Sequence, residues 1–235
     1  MIPTNLTHIA FDADDTLWGH EHVYVDAKHR CAKLLEAYLA EGEDLEQRLY
    51  QFEKKNLALF GYGIKGWMLS MMETAIELSG GAISGRELQE IIKMGKEMLA
   101  HPIELLPYVA EAIDRLGARY ELLLITKGDL FNQESKIARS GLAAHFGAIE
   151  IVSEKSPATY RDICRRQGIQ PENLLMIGNS LRSDVLPVLA IGGHAAYLPH
   201  TYTWMHERAV TNERPVGRDY LKPSSLKELV DALLP

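Results

Sequence analysis

The chain has 235 residues, of which 46% are hydrophobic and 24% are charged, and its formal net charge is −7 at pH 7. It is long enough for one large domain, or for a core domain with a smaller appendage. The acidic balance argues against a nucleic-acid partner, because a nucleic-acid-binding face is normally rich in lysine and arginine. No membrane partner is expected either, since no apolar run approaches the length of a membrane span.

The two cysteines, Cys31 and Cys164, lie far apart in the chain and belong to no recognised metal-binding spacing. Cysteines used in this way are typical of reduced, cytosolic proteins. The first residues, MIPTNLTHIAFD, lack the basic and apolar regions of a secretory signal. The sequence therefore predicts a cytoplasmic protein.

Five short apolar runs predict β-strands, at residues 7–11, 122–126, 148–152, 174–178 and 195–198. They are almost continuously hydrophobic, as expected of strands that are covered on both faces. Amphipathic helical patterns, such as those at 107–117 and 156–168, lie between the later runs. This alternation predicts an α/β fold with a doubly wound parallel sheet.

One long region interrupts the alternation, because only helical periodicity is found between Thr16 and Pro107. About four helices are predicted there, at residues 22–41, 44–60, 64–79 and 87–100. We therefore expect residues 19–103 to form a separate helical domain. Residues 1–18 and 104–235 would then form the α/β core.

Polar side chains follow four of the predicted strands at the points where these strands end. In chain order they are Asp12 and Asp14, Thr126 and Lys127, Lys155, and Asn179 with Asp184. Ligands of open parallel sheets bind in the crevice at the carboxyl ends of the strands. Carboxylates, a hydroxyl group and an ammonium group gathered there suit a hard divalent cation such as Mg²⁺ together with a phosphate.

At these residues the sequence resembles a known family. The run DADDT (12–16) is similar to the DxDx[TV] signature of the haloacid dehalogenase-like superfamily. Thr126, Lys155 and the run GNSLRSD (178–184) resemble its second, third and fourth motifs, and the helical insertion resembles its C1-type cap. A single short motif is weak, but these four follow the family's order, each at a predicted strand end.

The resemblance implies a phosphatase that acts on a small phosphorylated substrate, and it gives each motif residue a role. Asp12 would be the nucleophile and form an aspartyl-phosphate. Asp14 would protonate the leaving oxygen and later deprotonate water. Thr126, Lys127 and Lys155 would bind the substrate, and the ammonium group of Lys155 would also stabilise the transition state.

The resemblance also implies a Mg²⁺ cofactor, held by Asp12, the main-chain carbonyl of Asp14, Asp184 and Asn179. Asn179 departs from the family's pattern, which usually has an aspartate at this position. An amide removes one negative charge from the site, so weaker Mg²⁺ binding is expected.

Other functions remain open at this point. A phosphosugar mutase or phosphotransferase would use the same nucleophile and differ only in the acceptor of the phosphoryl group. A non-catalytic binding module would have no need of an acid/base at Asp14. Dehalogenation and phosphonate hydrolysis are disfavoured, because an acid at position 14 points to phosphoester chemistry.

Two further features receive no catalytic role. Asp15 is expected to be solvated or to support its neighbours. His194, His200 and His206 match no standard zinc spacing, and the loop that carries them is expected to border the site.

Overall fold

The computed structural model describes residues 3–200 and 219–234. The chain divides into two compact units, one formed by Met1–Glu21 with Ile103–Pro235 and the other by His22–Pro102. We call the first the core unit and the second the inserted unit.

The core unit is built on five strands that all run parallel, in the order β3-β2-β1-β4-β5. The strands are β1 (His8–Phe11), β2 (Glu121–Lys127), β3 (Ala148–Val152), β4 (Leu174–Gly178) and β5 (His194–Tyr197). The chain first winds from β1 to one side and then returns to the other side through β4. The predicted fold class, a doubly wound parallel α/β sheet, is confirmed.

Both faces of the inner strands β1, β2 and β4 are buried, which explains their continuous apolar runs. Successive side chains of a strand point to opposite faces. Ile9 and Phe11 of the central strand β1 therefore join one apolar cluster, whereas Ala10 joins another. All three side chains are inaccessible to solvent.

In the described residues of the core unit, five helices accompany the sheet: α5 (Val109–Gly117), α6 (Leu130–Ser140), α7 (Pro157–Gln167), α8 (Leu186–Ala190) and α9 (Leu226–Leu233). Helices are numbered in chain order, so the first four belong to the inserted unit. Helix α7 has the ends that its sequence predicts, because Ser156 accepts a hydrogen bond from the Thr159 N–H and Pro157 occupies the first turn. Gly168 ends the helix in the left-handed conformation that glycine adopts easily.

The inserted unit contains the four remaining helices: α1 (Glu21–Leu34), α2 (Leu45–Phe60), α3 (Ile64–Leu78) and α4 (Gly85–Ala100). Helix α1 is shorter than the predicted span 22–41. The backbone leaves the α-helical range at Leu35 (φ −99°, ψ 5°), and a short 3₁₀ turn, Glu36–Tyr38, follows. The unit has its own apolar core, to which Cys31, Leu49 and Met71 belong.

Among the residues that the structure describes, no helix is both long enough and apolar enough to cross a membrane.

Candidate active site

The loop that follows β1 carries the first group of predicted site residues. The Asp12 N–H donates to the carbonyl oxygen of Ile177 at 2.9 Å, which ties the start of the loop to β4. The Ala13 carbonyl then accepts from the N–H groups of Thr16 and Leu17, so the chain turns sharply. This turn places the Asp12 side chain at the carboxyl edge of the sheet. It follows β1, the strand at which the chain changes from adding strands on one side of the sheet to adding them on the other.

Lys155 lies between the two most buried carboxylates of the site. Its Nζ is 2.5 Å from Asp12 Oδ1 and 2.7 Å from Asp184 Oδ1. The three residues are at most 8% exposed. One ammonium group therefore faces two buried carboxylates, and the cluster as a whole attracts further positive charge.

The electrostatics of this cluster follow from burial and charge. Burial raises the pKa of Asp12 to about 7, and the nearby carboxylates of Asp184 and Asp14 act in the same direction against the opposing charge of Lys155. Burial disfavours the charged form of Lys155, but attraction to Asp12 and Asp184 holds its pKa well above the ordinary value. Lys155 is therefore a permanent cation beside the expected nucleophile.

Asp184 is positioned by the segment after β4. It lies in a π-helical turn, Leu181–Val185, and its Oδ2 accepts from the Ser180 N–H at 2.9 Å. Such turns are often found at functional sites. The other predicted residue of this motif, Asn179, is half-buried directly after the end of β4.

Gly178 leaves the space that the Asp184 carboxylate occupies. A Cβ atom at position 178 would lie 2.2 Å from Asp184 Oδ2 and 2.3 Å from its Cγ. Since neither the strand nor the buried carboxylate can yield easily, only glycine fits here without displacing Asp184.

We expect Gly178→Ala to lower the free energy of unfolding by about 1–3 kcal/mol, the usual cost of overpacking. Urea unfolding would measure the change. Gly85→Ala is the matched control, because a Cβ at position 85 meets no atom within 4 Å. Equal stability of the Gly178→Ala variant and the wild type would contradict the close packing described here.

Asp14 is held by a separate set of donors. Lys136 Nζ is 2.7 Å from its Oδ1 and 2.6 Å from its Oδ2, and Trp18 Nε1 donates to Oδ1 at 2.7 Å. Gln133 Nε2 donates to Oδ2 at 3.2 Å. His20 lies farther away, with its Nε2 3.9 Å from Oδ2. Both carboxylate oxygens are thus fixed.

These donors decide the charge of Asp14. Burial alone raises the pKa of the carboxyl group, but the charges of His20 and Lys136 and the hydrogen bonds from Lys136 and Trp18 outweigh it. The pKa of Asp14 consequently lies far below its ordinary value. Asp14 is an anion in these surroundings.

Thr126 and Lys127 end β2 at the same edge of the sheet. The Thr126 hydroxyl is buried and accepts from Gln133 Nε2 at 2.8 Å. Lys127 Nζ donates to Ser183 Oγ at 3.0 Å and lies 3.6 Å from a carboxylate oxygen of Glu154. Both residues therefore lie in the core unit with the other candidates, although Lys127 points toward the β4 side.

Of the two expectations for Asp15, the structure supports the second: its carboxylate is buried and supports its neighbours, and it is not solvated. Its carboxylate accepts from the backbone N–H groups of His20 and Glu21, at 2.8 Å and 3.2 Å. Its own backbone is in the left-handed region, with φ 59°, where aspartate is tolerated better than most residues. Asp15 therefore shapes the end of the loop and stabilises the segment that follows.

Two of the three histidines of the predicted loop lie in the described residues, and they occupy different positions. His194 begins β5, whereas His200 Nδ1 is 3.5 Å from Asp15 Oδ1. His206 lies outside the described residues. Within the described part of the predicted loop, His200 thus contacts the segment after β1.

Sequence reasoning missed three residues whose side chains donate hydrogen bonds to Asp14: Lys136, Gln133 and Trp18. Lys136 and Gln133 are three residues apart on α6, and they are only 3% and 2% exposed. Fully buried lysines are rare unless they are paired. The one sequence signal near them is that their helix begins directly after the Thr126 motif, and this does not say which side chains of the helix turn inward.

Within residues 3–200 and 219–234, no three His, Cys, Asp or Glu side chains form a group that could hold a metal ion. The predicted ligand set differs from such a group, because it combines only two acidic side chains with one amide and one main-chain carbonyl. Asp12 and Asp184 nevertheless face a common ammonium group.

Comparison with known proteins gives consistent matches. A sequence model of the haloacid dehalogenase-like hydrolase family matches residues 6–192. Human N-acylneuraminate-9-phosphatase is 25% identical, over 94% of this chain and 91% of its own. These matches confirm the predicted resemblance.

Solved structures agree with this result. A haloacid dehalogenase-like family hydrolase from Xanthomonas campestris has a TM-score of 0.83 and 44% identity, covering 97% of this chain and 92% of its own. L-2-haloacid dehalogenase from Xanthobacter autotrophicus has a TM-score of 0.64 and 16% identity, covering 97% and 98%. At that identity the second likeness concerns the fold alone.

Proposed function

Since the chain belongs to the haloacid dehalogenase-like hydrolase family, we propose that it is a Mg²⁺-dependent phosphatase acting on a small phosphorylated metabolite in the cytoplasm. The reaction would pass through an aspartyl-phosphate on Asp12. The observation that carries this proposal is the pairing of Asp12 with the buried ammonium of Lys155, with Asp14 two residues away. The human relative named as a phosphatase supports the same reaction class.

The proposed reaction has two steps. In the first, a carboxylate oxygen of Asp12 forms a bond to phosphorus, and the bond between phosphorus and the leaving oxygen breaks as Asp14 supplies a proton. In the second, water attacks phosphorus and gives a proton to Asp14, which releases inorganic phosphate and restores the Asp12 carboxylate. The surroundings of Asp14 favour its anion, which is the form that accepts this proton, so in the first turnover the proton that Asp14 supplies enters with the substrate as a monoanionic phosphate ester.

The chain's other polar groups would bind the phosphoryl group. Lys155 supplies a positive charge beside the attacking oxygen, which favours the transition state as negative charge builds up on the phosphoryl oxygens. The Thr126 hydroxyl already accepts from Gln133, so its own proton is available for a phosphoryl oxygen. We propose that Lys127 also binds the substrate at this edge of the sheet.

The residues present fit a magnesium ion. Asp12 and Asp184 place two carboxyl groups against the single ammonium group of Lys155. They would hold the ion together with the main-chain carbonyl of Asp14 and the Asn179 amide, all oxygen donors of the kind Mg²⁺ prefers. When bound, Mg²⁺ would neutralise negative charge on the phosphoryl group and orient it.

We expect Asn179→Asp to strengthen Mg²⁺ binding, because it adds a carboxylate to the proposed ligand set. The Mg²⁺ concentration at half-maximal activity should fall by roughly tenfold, which is about 1.4 kcal/mol. Gln170→Glu is the control, since it adds the same charge just before β4, at the opposite edge of the sheet. An unchanged half-saturation in Asn179→Asp would refute the assignment.

Two alternative functions differ from this proposal in testable ways. A mutase or phosphotransferase would use the same Asp12 and deliver the phosphoryl group to an acceptor other than water. A non-catalytic binding module would not turn over any ester. The burial of Asp12 and Lys155, and the shifted pKa values of Asp12 and Asp14, favour catalysis over binding alone.

The test is a panel of small phosphate esters, assayed with and without Mg²⁺, in which released inorganic phosphate is measured. The panel should include N-acylneuraminate 9-phosphate, because the human relative is named for that substrate class. Release of phosphate that requires Mg²⁺ is expected. Phosphate transfer to added alcohols or sugars in place of release would favour the transferase, and no turnover of any ester would exclude both enzymes.

A further inference from the structure

The inward face of α6 carries two polar side chains that no motif accounts for. Gln133 and Lys136 are three residues apart, so they project from the same side of the helix. They are 2% and 3% exposed. Burying an amide and an ammonium group is costly unless both are satisfied by partners, so their contacts determine why they are there.

The ammonium group of Lys136 binds the Asp14 carboxylate on its buried side. Its Nζ contacts both Asp14 oxygens, at 2.7 Å and 2.6 Å, while Trp18 Nε1 holds Oδ1 at 2.7 Å. The Lys136 side chain is 3% exposed, whereas that of Asp14 is 23% exposed. The ammonium group therefore fixes the carboxylate on its inner side and leaves its outer side open to a ligand.

Gln133 joins Asp14 to the end of β2. Its Nε2 lies 3.2 Å from Asp14 Oδ2, 2.8 Å from Thr126 Oγ1 and 2.8 Å from the Lys127 carbonyl oxygen. The nitrogen must point this way, because a carboxylate and a carbonyl oxygen can only accept hydrogen bonds. One amide thus connects the loop after β1 with the expected phosphate-binding hydroxyl.

We propose that Lys136 and Gln133 are positioning residues, which hold the Asp14 carboxylate at a fixed distance from the Thr126 hydroxyl. The inference rests on the proposed phosphatase function. Proton transfer requires the carboxylate to meet the leaving oxygen while the phosphoryl group is bound, and an error of about 1 Å can cost roughly 100-fold in rate. Helix α6 supplies both contacts from a rigid element, which is the arrangement that holds a site most precisely.

The test is steady-state kinetics of Lys136→Met, a substitution of similar length that removes the ammonium group. The kcat for p-nitrophenyl phosphate should fall by about 100-fold. The KM and the inhibition constant of inorganic phosphate should change by less than roughly threefold, since the groups proposed to bind phosphate are untouched. Lys136→Arg should recover part of kcat, because it restores a cation able to contact both oxygens.

Two further variants make the result specific. In an Asp14→Asn background, Lys136→Met should cause no additional loss of kcat if Lys136 acts through Asp14. Arg139→Met, which removes an exposed cation from the same helix, should behave as wild type. If Lys136→Met proves too unstable to assay, Gln133→Leu tests the same arrangement by removing the connection to Thr126, and it too should lower kcat selectively.

The outcomes separate this inference from the proposed function. An active wild type whose kcat is unaffected by Lys136→Met, or additive losses in the Asp14→Asn background, would overturn the positioning role alone. Equal changes in kcat, KM and phosphate inhibition would also overturn it. A wild type that hydrolyses no phosphate ester would instead refute the phosphatase itself.

Discussion

Replacing Asp12 by asparagine is expected to lower kcat by roughly 10⁴-fold or more, because the variant loses the oxygen anion that attacks phosphorus. Asparagine has nearly the same shape, and it relieves the competition between Asp12 and Asp184 for the single ammonium of Lys155. The variant should therefore fold, and the loss should be chemical. Phosphate release from the best ester of the panel would measure it.

Asp162→Asn is the matched control for this experiment. It makes the same change at an exposed aspartate of α7. Within residues 3–200 and 219–234, this aspartate forms an ion pair with Arg165. Its activity should equal that of the wild type. Turnover by Asp12→Asn within about tenfold of the wild type would show that Asp12 is not the nucleophile.

Replacing Lys155 by methionine is expected to reduce both stability and activity. The Asp12 and Asp184 carboxylates would remain buried and face each other without a counter-charge. Removing one member of a buried ion pair typically costs about 3–5 kcal/mol. Urea unfolding should show a loss of this order, and ester hydrolysis should fall sharply because the phosphoryl group loses a cation.

A double variant separates the two effects. Lys155→Met combined with Asp184→Asn should regain part of the lost stability, since one of the two uncompensated charges is removed. Lys227→Met is the surface control, because Lys227 is exposed and pairs with Asp231 on one helix, where solvent screens the pair and its loss should leave stability nearly unchanged. A Lys155→Met variant as stable as the wild type would contradict the buried ion-pair cluster.

The sheet was accessible from the sequence because burial on both faces requires continuous apolar runs. The run at 174–178 coincides with β4 (Leu174–Gly178), and the run at 148–152 coincides with β3 (Ala148–Val152). Helix α1 was less accessible, because the amphipathic pattern continues past Leu35 while the backbone does not. Periodicity reports which side chains face a core, and it does not report where the chain turns.

The candidate site was partly accessible for a related reason. Residues that follow parallel strands must share one edge of the sheet, so Asp12, Lys155 and Asp184 could be grouped before any distance was known. Lys136 could not be grouped in this way, since a lysine on an amphipathic helix ordinarily lies on the solvated face. Its burial depends on its contact with the Asp14 carboxylate. The spacing of residues along the sequence does not show which side chain of another element a helix will contact.

The most direct test of the account is to trap the covalent intermediate. The wild-type enzyme, mixed with a good ester substrate and Mg²⁺, would be quenched in acid within milliseconds and digested for mass spectrometry. We predict one phosphoryl group on the peptide that contains Asp12, absent from Asp12→Asn and lost as inorganic phosphate appears. Phosphoryl label on a different residue, or turnover with no labelled peptide at any quench time, would contradict the aspartyl-phosphate mechanism.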